Sequence, residues 1–124
     1  MAWPTDGQPR AWLIRIRNSD VLARLEPARS EAWRKLTLAV LHRYLIDELL
    51  TAGPLGGQPP QLIYTPSSAE AIRLARSRRA LAFLVPPPPL QALQAVCQAG
   101  DLMPHKSTYF YPKLATGLVI NPLY

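Results

Sequence analysis

Apolar and polar positions along the chain change rhythm several times, and each change marks an element. In Ala11-Trp12-Leu13-Ile14-Arg15-Ile16-Arg17, Trp12, Ile14 and Ile16 share one face and Arg15 and Arg17 the other. Such alternation predicts a strand. Asp20 to Leu25 reads as a short helical turn opened by Ser19 or Asp20, and Ser30-Glu31-Ala32-Trp33 leads into the main helix. Leu38, Leu41, Leu45 and Leu49, with Tyr44 nearby, recur at helical spacing. They predict a helix over 38–50, with Thr37 as its N-cap because the hydroxyl accepts an otherwise unpaired backbone N–H. Arg43 and Asp47 stand four apart and pair on its solvent side. Gly53 and Pro54 stop it, and 52–60 forms a Gly/Pro-rich loop.

The rhythm then repeats. Gln61-Leu62-Ile63-Tyr64 predicts a strand. Ser67 or Ser68 caps a helix carrying Ala69, Ile72, Leu74 and Ala75, with Glu70 in the first turn where the helix dipole favours an acid. Ala80 to Val85 is an apolar strand with the character of one buried on both faces. Pro86 to Pro89 stiffen the connection to a helix over 90–99, which Gly100 ends. Lys106 to Tyr111 alternates again, and Gly117 to Leu123 follows as a second strand, so the chain closes as a β-hairpin. The order is β-α-β-α-β-α-β-β. It predicts an α/β (or α+β) fold, a small mixed sheet with flanking helices. An irregular arm over 1–10 precedes a single domain over 11–124.

A chain of 124 residues, 48% of them hydrophobic, has the material for one core. Eleven arginines and three lysines against eight acids give a net charge of +6. This suits an anionic partner such as a phosphorylated small molecule. The basic residues are nonetheless spread over several elements, and Arg73, Arg76, Arg78 and Arg79 read as a solvated helix end. Neither a reading helix nor exposed aromatics accompany them, which argues against nucleic acid. Cys97 is the only cysteine; it excludes an internal disulfide and reads as a small buried hydrophobe. No signal-peptide pattern opens the chain, and 36–50 is too short and too charged to span a membrane. The expected compartment is the cytoplasm.

The candidate chemistry gathers near the end. Gly100 to Ser107 approaches a phosphate-binding loop, but His105 stands where a second glycine is required, and a helix precedes the run where a strand should. That motif is rejected. Lys106 and Lys113 still offer charge for an anion, and Ser107, Thr108 and Tyr109 offer hydroxyls, with His105 and Tyr111 as secondary candidates. The competing reading is a hairpin whose aromatics fill a core and whose lysines are solvated. No metal site is expected, because only Asp101 stands near His105. His42, within the main helix, reads as a packing residue.

Met103 to Lys113, Gly117 to Val119 and Asn121 to Leu123 resemble the ending of the bacterial and archaeal family known as domain of unknown function 1015. Its members close in Met-Pro-x-Lys-Ser-Thr-Tyr-Phe-Tyr-Pro-Lys, often with Gln where this chain has His105. Leu36 to His42 is also similar to the family's Leu-Asp-Val-x-x-Leu-His, with Thr37 in place of aspartate. Family members are considerably longer. Their N-terminal part carries an Asp-Gly-His-His-Arg-type motif, similar to the site of ParB-like nucleotide-binding proteins, some of which phosphorylate free serine. This chain has no such motif. The resemblance implies a truncated or split C-terminal module, non-catalytic by itself, that completes a larger fold with an N-terminal half or a second copy. The alternative it implies is part of a small-molecule kinase site, with the hairpin on phosphate. No cofactor is expected for the chain itself; ATP or ADP would bind only in an assembled, full-length-like protein.

Overall fold

The computed structural model describes residues 11–18 and 20–108. Four helical elements order this part. Helix α1, Glu31–Arg34, is a single turn capped by Ser30, whose Oγ accepts the Trp33 N–H at 3.1 Å. Helix α2 opens as an α turn, Thr37–Ala39, and continues without a break as a π-helix, Val40–Thr51. Helix α3 is Ser68–Arg78 and α4 is Leu90–Gln98.

The winding of α2 departs from expectation and changes which residues it buries. In a π-helix each N–H reaches the carbonyl five residues back instead of four. The Thr51 hydroxyl donates to the Ile46 carbonyl at 2.9 Å, and the Leu55 N–H reaches the Leu50 carbonyl at 3.1 Å, both at that spacing. The wider turn rotates an i, i+4 stripe off one line. Leu36, Ala39, Val40 and Ile46 are buried, Leu38, Leu41 and Leu45 are half-buried, and Leu49 faces solvent. Thr37 is the first helical residue, not the cap; Leu36 holds the cap position and contributes no side-chain hydrogen bond. At the far end Gly53 lies against α2 so closely that a β-carbon there would meet the Leu49 carbonyl oxygen at 2.7 Å.

The core is small. Leu22 from the 20–25 turn, Trp33 from α1, Leu36, Ala39 and Val40 from α2 and its approach, and Val96 from α4 form one buried cluster, with Tyr44, Ala92 and Met103 packed against it. Helix α4 ends in a Schellman motif: Gly100, at φ +72°, donates to the Cys97 carbonyl and Asp101 to the Val96 carbonyl. This turn aims the Asp101 carboxylate back at the start of α1. Oδ2 accepts the Ser30 N–H at 2.6 Å and Oδ1 accepts from Arg29 Nη1 at 2.9 Å. One acid so joins parts of the chain some seventy residues apart.

The mixed sheet does not form among the described residues, which contain no strand. Residues 11–17, 61–64 and 80–85, each expected as a strand, carry no ladder. Alternation records which side chains share a face; a strand also needs a neighbour in register for its N–H and C=O groups. The described residues supply none. Lys106 adopts a left-handed conformation, φ +59°, within a turn over 105–106, so the alternation from Lys106 does not begin as a strand. Residues 109–124, with the rest of the expected hairpin, and the arm over 1–10 lie outside the described residues. Cys97 is exposed, not buried, because the face of α4 that enters the core is the one carrying Val96. No described helix is long and apolar enough to cross a membrane.

Candidate binding site

Alpha-helix 2 and the loop after α4 meet over a cavity of about 240 Å³, lined by Trp33, Ala39, His42, Arg43, Tyr64, Pro104 and His105. Its floor is fixed by the core: Trp33 and Ala39 belong to the buried cluster. Its far wall, Pro104-His105, is placed by the Asp101 anchor three residues earlier. The near wall is the side of α2 carrying His42 and Arg43. The His42 imidazole stacks on the Tyr64 ring, centroids 6.0 Å apart and planes 22° from parallel. This contact brings the 61–64 segment to the cavity's rim.

Electrostatics decide what such a cavity can hold. Arg43 donates through Nε to Glu26 and through Nη1 to Asp47. Hydrogen bonding to Glu26, then to Asp47, holds its guanidinium above the usual arginine range. Two carboxylates thus offset the one fixed cation on the wall. Arg29 lies over the Trp33 ring at 5.0 Å, a cation–π arrangement, and is itself paired with Asp101. The remaining polar side-chain groups of the lining residues are two imidazoles and a phenol, able to donate or accept single hydrogen bonds, and the Trp33 indole N–H, a donor. The lining suits a small planar, largely apolar group held by stacking. It does not concentrate positive charge. Among the described residues no three His, Cys, Asp or Glu side chains gather as metal ligands.

Of the residues singled out from sequence, His105 lines this cavity. Lys106 and Thr108 are exposed beside it and Ser107 is half-buried. Tyr109, Tyr111 and Lys113 lie outside the described residues. Trp33, Arg43 and Tyr64 were not legible as a site, since nothing in local spacing links positions 33, 43, 64 and 105. Asp101, considered only as a metal ligand, serves as an anchor. A second, smaller hollow of about 130 Å³ lies between the start of α3 and Phe83-Leu84-Val85. Compared with known proteins, the chain matches no family model, no curated protein and no solved structure.

Proposed function

We propose that the chain is a non-catalytic module that completes a larger fold by docking a partner half. The observation that carries this is the exposure of large apolar side chains on the segments whose sequence predicts strands. Trp12, Ile14 and Ile16, Leu62 and Ile63, and Leu81 and Leu84 are all exposed. Isolated apolar residues on a surface need no explanation, but three runs of them in one short chain mark an interaction surface. The likeness of Met103 to Lys113 to the ending of a longer family supports the same view: in that family a further N-terminal portion would be present to cover them. The test is co-expression with an N-terminal half carrying the His-His-Arg motif, followed by light scattering. A stable complex, with loss of dye binding by exposed apolar surface, is expected. A compact monomer that binds neither the dye nor the half would refute the proposal.

The phosphate reading has one observation in its favour: Lys106 is exposed next to His105 at the cavity, and no described carboxylate pairs with it. In the assembled protein, Lys106→Ala should weaken ATP or inorganic phosphate binding by calorimetry. Unchanged binding removes this reading.

A further inference from the structure

Charge is not distributed evenly along the fold. Residues 20–51, which supply most of the core, hold five basic and five acidic side chains. Their pairing is extensive: Arg34 with Asp20, Lys35 with Glu31, and Arg43 with both Glu26 and Asp47. Residues 52–100 hold four arginines and a single acid, Glu70. Arg73 lies near Glu70 at 3.9 Å; Arg76, Arg78 and Arg79 are exposed, with no described carboxylate in ion-pair reach.

The same stretch carries exposed apolar side chains and backbone with no partner among the described residues. Helix α3 buries none of its residues. Leu62, Ile63 and Tyr64 before it and Leu81 and Leu84 after it are exposed. Residues 61–64 and 81–85 make no backbone hydrogen bond to any other described residue. A stretch that is apolar, basic and, among the described residues, rich in unpaired backbone groups asks for a partner with all three complements.

We propose that the unit over 61–85 docks an acidic partner protein by strand addition, its apolar side chains and open backbone meeting a partner strand while Arg76, Arg78 and Arg79 meet the partner's carboxylates. This rests on the docking function proposed above and gives the partner its chemistry. A second copy is a poor fit, since it would bring the same arginines together. So is the remainder of this chain: six of its eight acids already pair with bases, and no acid follows Asp101. A nucleic acid supplies charge but would leave Leu62, Ile63, Leu81 and Leu84 in water. A bilayer covers apolar side chains but leaves the open N–H and C=O groups without partners.

The test uses the full chain and labelled synthetic peptides of alternating Val and Glu or alternating Val and Lys, read by fluorescence anisotropy. Heparin and phosphatidylserine-containing vesicles serve as polyanion and membrane probes. The Val/Glu peptide should bind about tenfold more tightly than the Val/Lys peptide, and added salt should narrow the gap. In an R76E/R78E variant the order should invert; both side chains are exposed on a helix that adds no residue to the core, so the core is untouched. Equal binding of the two peptides overturns the acidic partner while leaving docking intact. Tighter binding of heparin or vesicles than of either peptide overturns it in favour of those surfaces. Binding of no peptide overturns it as well, and if the chain is then also a monomer that binds no apolar dye, the docking function falls with it.

Discussion

Asp101 shows how much one side chain decides in a small fold. Its carboxylate accepts hydrogen bonds from Ser30 and then from Arg29, which hold its pKa down at about 2, against about 4 for a free aspartate. A depressed carboxylate pKa stabilises the fold fully above the unfolded value, and that contribution is lost as pH falls through the folded one. Stability should therefore decline between about pH 4 and pH 2. In Asp101→Asn this part of the acid limb should flatten, and the urea midpoint near neutrality should fall, as read by denaturation across that pH window. If the variant keeps the wild-type acid limb, the anchor is not what titrates. Leu22 decides as much by burial alone. It is fully excluded from solvent at the centre of a core of few residues. Leu22→Ala should cost about 2–5 kcal/mol, a large share of a typical domain's stability, measurable by thermal or urea unfolding. Neither role shows in local sequence. An aspartate after a helix-ending glycine and a leucine in a turn acquire their weight from partners far along the chain.

Helix α3 was legible as an element, and its ends explain why. Ser67 accepts the Glu70 N–H at 3.3 Å, while Glu70 accepts from the Thr65 hydroxyl at 2.8 Å, a variant of the reciprocal capping pair. Because α3 has no fully buried residue, with Ala71, Leu74 and Ala75 only half-buried, these local bonds carry much of its stability. Ser67→Ala should lose about 1 kcal/mol, seen as faster amide exchange over α3 and not as a lower global midpoint. At the other end Arg79 takes the left-handed position usually given to glycine, φ +52°. Arg79→Gly should lengthen the protection of α3 by relieving strain of about 1 kcal/mol, in part offset by the freedom glycine gains when unfolded. Slower exchange at the Ala80 amide, which bonds the Ala75 carbonyl, is the readout. For α2, by contrast, sequence placed the helix but not its pitch. The leucines at 38, 41, 45 and 49 obey α spacing, yet the π-helical winding leaves Leu49 in water.

At the scale of the molecule, the exposed strand-like segments, the balanced charge of 20–51 and the arginine excess of 52–100 converge on one expectation: the chain meets its partner through 61–85. The peptide and charge-reversal measurements decide it. What the sequence determined by itself were features whose causes lie within a few residues: a serine cap on α3 at Ser67 or Ser68, the stop at Gly100, the Arg43–Asp47 pair, the positions of α3 and α4. It also marked which side chains of 11–17 share a face. Only the tertiary structure decided that 11–17, 61–64 and 80–85 have no strand beside them among the described residues, that Asp101 reaches Ser30, and that His42, Arg43, Tyr64 and His105 border one cavity. Caps and turns are settled by hydrogen bonds within a single turn of chain. A sheet or a cavity wall needs groups from distant positions to arrive together, and no local pattern of side chains specifies that arrival.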